Sequence, residues 1–164
     1  MNKSIFSINS LSKYSELFQI VGVIGLIASL IFVGLELRQS QQIALVEQQV
    51  ERTKIFTDLY NTATIKNLAF LYPENDYSEQ EVFTHNIQHM FWNLSETDYL
   101  KYRLGLMDES IWQSRYSIMK RVKSREGQTN RYCIIMERVW EAKKRQLDAE
   151  FIKLIEAIPS RDCT

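Results

Sequence analysis

The stretch Ile20 to Leu35, IVGVIGLIASLIFVGL, runs sixteen residues with no charge and no strong hydrogen-bonding side chain except Ser29. Adding Leu17, Phe18 and Leu37 widens the apolar window to 21 residues, broken only by Gln19 and Glu36 near its ends. At about 1.5 Å of rise per residue, a helix of that length covers roughly 30 Å, the thickness of a bilayer's hydrocarbon core. A buried core helix is the competing reading, but sixteen residues apolar on every side exceed the length usual for that role. A cleaved signal peptide fits less well, because nineteen residues precede the run and no A-x-A site follows it. The window therefore reads as a transmembrane helix over 17–37. A polar flank over 1–16 precedes it, and a helical domain over 38–158 and a tail over 159–164 follow.

Small residues inside the span share one stripe. Gly22, Gly25 and Ser29 recur at helical spacing, and Gly25-x-x-x-Ser29 is a pair that lets two backbones approach closely in lipid. At 100° per residue Phe32, Glu36, Ile43, Val46 and Val50 prolong that stripe beyond the membrane, and Thr57, Asn61, Ile65 and Leu68 carry it on. A single helix presenting Gly22, Gly25, Ser29, Glu36, Ile43, Val46 and Val50 as a packing seam is the expectation. Its partner is either the chain's own later helices or a second copy.

From Glu36 to Tyr72 there is no Gly or Pro, and Pro73 supplies the stop. PENDY (Pro73 to Tyr77) reads as a turn, and Ser78 with Glu81 as the capping box of a second helix. Phe83, Ile87, Met90, Phe91 and Leu94 fall within about 100° of arc and are the expected buried face of that helix. Gly105 is its expected C-cap, and Asp108 opens a third helix carrying Ile111, Trp112, Met119 and Val122. A loop around Gly127 leads to a fourth, with Tyr132, Ile135, Met136, Val139 and Trp140 on one side. Leu147, Phe151, Leu154, Ile155 and Ile158 continue a helical pattern to Pro159, either as part of the fourth helix or as a fifth. The fold class expected is all-α: one membrane helix, continuous with a long helix, then a bundle of about four more.

LELRQ (Leu35 to Gln39) directly after the span, with YLKYRLGLMDESIW (Tyr99 to Trp112) further on, resembles a group of small bacterial single-span membrane proteins with a C-terminal helical domain. Their pattern is a span ending in a Q-I-R-Q-N-like sequence, then a segment close to Y-x-x-Y-R-x-G-L-L-D-E-x-x-W. Glu36 departs from it, standing where Gln or Ile is usual. The resemblance implies a bacterial, membrane-anchored helical protein and supplies no catalytic residues.

Candidate chemistry is sparse. His85-x-x-x-His89 is the one metal-like spacing, and Glu81 stands one turn before it on the same row. Asn86 occupies the position of the glutamate in HExxH, and no third histidine exists, so a solvated face or one covered by another chain is the stronger reading. No G-x-S-x-G, phosphate-binding glycine loop or EF-hand pattern is present. Two cysteines, Cys133 and Cys163, suit a disulfide or a reducing compartment, with Cys133 on an amphipathic segment as a buried structural thiol.

Net charge is zero but polarised. Residues 38–110 hold 6 basic and 11 acidic side chains, and residues 115–145 hold 10 and 3. The latter include Arg115, Lys120, Arg121, Lys123, Arg125, Lys143, Lys144 and Arg145 as a candidate basic surface. Such a block suits an anionic leaflet, a partner, or acidic side chains of the same fold. Lys3 and Lys13 before the span and Arg38, Arg52 and Lys54 after it barely separate the two orientations, and the basic block tips the domain towards the cytoplasmic side of a bacterial inner membrane. The expected function is a membrane-anchored scaffold or accessory subunit that self-associates. Membrane lipid and further copies or other membrane-protein subunits are its expected partners. A homo-oligomeric pore with Glu36 as a charged ring is the alternative, and a metal enzyme the third. No cofactor, nucleic acid or small-molecule substrate is expected.

Overall fold

The computed structural model describes residues 8–69 and 77–163, those from 8 to 13 by backbone alone. Among them every regular element is helical: α1 (Ile8–Ile65), α2 (Glu79–Arg103), α3 (Glu109–Ser124), α4 (Asn130–Lys143), a 3₁₀ turn (Lys144–Gln146) and α5 (Ala149–Glu156). The chain divides into two units, Met1–Ile43 and Ala44–Thr164. In the first, one helix is long and apolar enough to cross a membrane by length and composition. Its large apolar side chains are exposed, and open space surrounds the positions where a Cβ would stand on Gly22 and Gly25.

The second unit begins with the C-terminal part of α1. That helix stops at Ile65, well before the expected end at Tyr72, and the reason is a Schellman closure. Asn67 adopts a left-handed φ of 52°, Leu68 N–H bonds Ala63 O at 2.8 Å, and Asn67 N–H bonds Thr64 O at 3.0 Å. Most of the expected PENDY turn lies outside the described residues.

The side of α1 that is covered here is Val46, Gln49, Thr53, Phe56, Tyr60 and Ala63. Their alternating 3-4 spacing is the heptad seam of a helix packed along another helix. The expected seam is therefore corrected within the chain. Val46 belongs to the covered side, but Val50 and Ile65 are exposed, as is Ile43 in the first unit. Extrapolation at 100° per residue drifts by about 20° each heptad from a 3.5-residue seam. Polar contacts to α2 then decide which side turns in. Gln49 Nε2 donates to Glu96 Oε2 at 3.0 Å, Thr53 and Thr97 share a 2.9 Å hydrogen bond, and Asn86 Nδ2 donates to Thr64 Oγ1 and Leu68 O at 2.9 Å each. From Thr53–Thr97 through Tyr60–His89 to Thr64–Asn86 numbers rise on α1 as they fall on α2, so the pair is antiparallel.

Ser78 N–H and its hydroxyl both donate to the Glu81 carboxylate, at 2.8 and 2.7 Å, which anchors the start of α2 as the motif predicts. Gly105 closes the same helix with φ 73°, Leu106 N–H reaching Lys101 O at 2.8 Å. Arg125, at φ 57°, ends α3. The fourth and fifth helices are separate. Asp148 Oδ1 accepts from the backbone of Glu150 and Phe151, at 3.0 and 3.1 Å, and so starts a new helix after the 3₁₀ turn.

Trp92, Trp112, Met119, Ile135, Val139, Trp140, Phe151 and Ile155 form the core between α2, α3, α4 and α5. The Trp92 and Trp140 ring centroids are 4.5 Å apart. Residues after α5 do not trail away as a tail. Arg161 N–H bonds Ser124 O at 3.1 Å, its guanidinium bonds Gln128 O and Asn130 Oδ1, and Cys163 forms a disulfide with Cys133.

Candidate functional site

The interior of the second unit holds the histidine row, contrary to the expectation that it is solvated or covered by another chain. Glu81, His85, His89 and Trp92 are all buried, whereas Phe83 is 53 % exposed and Leu94 50 %. The helix is turned over relative to its apolar pattern. α2 is covered by α1 on one side and by α4 on another, and both bring groups that suit a polar row. Tyr60 of α1 stacks on His89, with centroids 5.3 Å apart and planes at 11°. His85 and His89 lie 4.8 Å apart, and Tyr77 is 5.9 Å from His85. Arg131 of α4 forms an ion pair with Glu81.

Neither ring nitrogen of His89 has a hydrogen-bond partner among the described residues, and the side chain is fully buried. Burial, reinforced by neighbouring His85 and Lys143, pushes its pKa down to about 3. Burial also lowers that of His85, while Asn86 Oδ1, 3.3 Å from Nδ1, pulls the other way. Both rings are thus neutral at pH 7. Burial alone would raise the Glu81 carboxyl, but Ser78 and Arg131 outweigh it and hold the group ionised. With Glu81 engaged in this way, no cluster of three or more His, Cys, Asp or Glu among the described residues is placed to hold a metal ion. The two imidazoles are buried and neutral.

The basic block is likewise redistributed. Lys123, Arg125 and Lys143 are buried, which removes three of the eight candidates from the surface. Lys123 Nζ sits 4.8 Å from the Trp140 ring centroid and 3.7 Å from Glu156. Arg125 Nη1 bonds Glu137 at 3.1 Å, and Lys143 Nζ lies 5.3 Å from the centre of the Phe56 ring. Burial lowers the pKa of Lys123 and Lys143, opposed by Glu156 and Glu96 respectively. Lys144 pairs with Glu141 and Glu156, and Arg115 with Asp98 at 3.7 Å. Lys120, Arg121 and Arg145 remain exposed. Acidic side chains of the same fold thus answer much of the positive charge.

What the turned helix leaves outside is apolar. Phe83, Ile87 (39 % exposed), the half-buried Met90 and Leu94 follow a 4-3-4 spacing along one line of α2. Beside them a shallow groove is lined by Phe91, Leu94, Ser95, Asp98, Arg115 and Ile118. Contiguous exposed apolar surface of this kind marks an interaction site more often than isolated apolar residues do. This face was visible in the sequence but pointed the wrong way there. Tyr60, Thr53, Thr97 and Asn86, which position the buried row, were missed; the 3-4 spacing of the α1 seam is the signal that carries the first two. No family model, curated protein or solved structure matches this chain.

Proposed function

We propose that this protein is a non-catalytic assembly module, anchored in a bacterial inner membrane by a single span and self-associating through the outward line of α2. It serves as a scaffold or accessory subunit of a membrane complex. The observation that carries the reading is the Phe83, Ile87, Met90, Leu94 line, left uncovered in a unit whose polar row is buried instead. A 4-3-4 apolar line is the knob spacing of helix-on-helix association, and two copies of one line satisfy each other by two-fold symmetry. Antiparallel pairing of two α2 helices brings the acidic first turn, with Glu79, towards the basic last turn, with Lys101 and Arg103. Gly22, Gly25 and Ser29 offer a second contact of the same kind within the membrane.

The test is the mass of the full-length protein in mild detergent, measured by light scattering, beside a Phe83→Ser/Leu94→Ser variant. Both positions are half exposed, so the fold tolerates the change. A dimer or larger species that falls to the monomer in the variant, with unchanged helical circular dichroism, supports the reading. A strictly monomeric wild type overturns self-association.

A further inference from the structure

The second unit carries a covalent bond whose survival depends on where the unit lies. Cys133 is fully buried on α4, Cys163 is 2 % exposed beyond α5, and the disulfide between them spans 30 residues. The fold itself brings the two sulfurs together. Arg125 reaches the last segment with one nitrogen, bonding Arg161 O at 3.2 Å and Cys163 Sγ at 3.3 Å while it holds Glu137. Arg161 in turn grips Ser124, Gln128 and Asn130. These contacts seat the segment on the end of α3 and the start of α4, and the Cα atoms of the two cysteines lie 5.5 Å apart, within the range a disulfide requires.

Disulfides persist where thiols are oxidised and are kept reduced in the cytosol. Neither flank of the span decides orientation: Lys3 and Lys13 stand before it, Arg38 and then Arg52 and Lys54 after it. Part of the basic block that favours the cytoplasmic leaflet on sequence grounds is paired within the fold, Arg115, Lys123, Arg125 and Lys144 with Asp98, Glu156, Glu137 and Glu141. What remains is the thiol pair. We infer that the second unit lies on the extracytoplasmic, thiol-oxidising side of the membrane, and that the Cys133–Cys163 bond, formed there, clasps the C-terminal segment to the bundle.

Formation is a thiol–disulfide exchange with a protein thiol oxidase. One cysteine thiolate attacks the oxidase disulfide to give a mixed disulfide, and the second thiolate then displaces the oxidase. The two cysteines lose two protons and two electrons, and the oxidase disulfide becomes a dithiol. Arg125 stands beside Cys163 Sγ, where it stabilises the thiolate that must form.

The inference rests on the membrane reading of the first unit, so the test separates the two. Full-length protein is produced in a bacterium with a periplasm, and carbonate extraction of its membranes reports the anchor alone. Cells are quenched in acid, free thiols are blocked with N-ethylmaleimide, and a maleimide–polyethylene glycol is added before or after reduction. Parallel fusions of alkaline phosphatase or green fluorescent protein after Thr164 report the side. Two adducts only after reduction, with at least tenfold more phosphatase activity than a cytoplasmic control and no fluorescence, support the inference. In a strain lacking its periplasmic thiol oxidase the adducts appear without reduction while the green fluorescent protein fusion stays non-fluorescent. Free thiols in wild-type cells, or a fluorescent and phosphatase-inactive pair of fusions, overturn it. Loss of the protein from carbonate-washed membranes overturns the anchor reading instead.

Discussion

Mild acid is expected to destabilise the second unit through its buried histidines, His85 and His89. His89 is neutral when folded, with its pKa near 3, whereas in the unfolded chain it titrates near an ordinary value of about 6.5. A basic group depressed on folding leaves stability intact above the unfolded pKa. That stability is lost as pH falls below it, because the unfolded state takes up the proton. For His89 the loss grows by about 1.4 kcal/mol per pH unit below roughly 6.5, and between pH 7 and pH 5 it reaches about 2 kcal/mol. His85, lowered by burial, adds to the loss in the same direction. Glu81, Asp148 and Glu156 are held below their usual range, so they lose their contribution only at more acid pH, whereas burial raises the Asp98 carboxyl, which acts against the histidines as pH falls.

The assay is urea unfolding of the full-length protein in mild detergent. It is followed by tryptophan fluorescence, since Trp92, Trp112 and Trp140 all lie in the second unit. His89→Leu removes the titrating ring and two unpartnered nitrogens from the interior. It should leave stability at pH 7 within about 1 kcal/mol of the wild type, because a buried polar group with no partner is replaced by an apolar one of similar size. It should also flatten the pH 7 to 5 dependence by about 2 kcal/mol. A wild type equally stable at pH 7 and pH 5, or a variant with the wild-type slope, refutes the reasoning.

Three further outcomes are expected in the same unfolding assay. Thr97 Oγ1 donates to Asn93 O at 3.0 Å, so Thr53 is the donor in the hydroxyl pair; Thr97→Val strands that buried hydroxyl and costs about 1–3 kcal/mol. The Thr53→Val/Thr97→Val double variant should recover most of the loss, giving a coupling energy of about 1 kcal/mol or more in a double-mutant cycle. Asp148→Ala removes the cap of α5 and the 3.1 Å pair with Arg103, for about 1–2 kcal/mol, and Asp148→Asn should restore most of it. Reducing the Cys133–Cys163 bond releases a 30-residue loop and should lower stability by about 3.6 kcal/mol on the chain-entropy estimate.

Element types and ends were largely legible in the sequence, because they depend on local chemistry. Ser78 with Glu81, Gly105 and Asp108 mark helix boundaries within a few residues of themselves, and the structure places the boundaries there. Asn67 was harder to read, since its left-handed turn competes with Pro73 as a stop and wins by closing two carbonyls of α1. The candidate site was legible as a set of residues and misread as a surface. Hydrophobic periodicity assigns Phe83, Ile87 and Leu94 to the interior of α2, and a period cannot say which side of a helix its neighbours will cover.

By itself the sequence determined a helical protein with one membrane-length apolar helix. Sixteen residues without a charge, and a chain poor in glycine and proline, leave few other outcomes. Only the tertiary structure decided which face of α2 is buried. Tyr60 of α1 and Arg131 of α4 meet the polar row from elements far apart in the chain, Asn86 ties α2 to Thr64 and Leu68, and their combined hydrogen bonds, stacking and charge pairing outweigh the burial of one apolar line. It also decided the fate of the two cysteines. Thirty residues of separation say nothing about distance in space until Arg125 and Arg161 fold the last segment back onto α4.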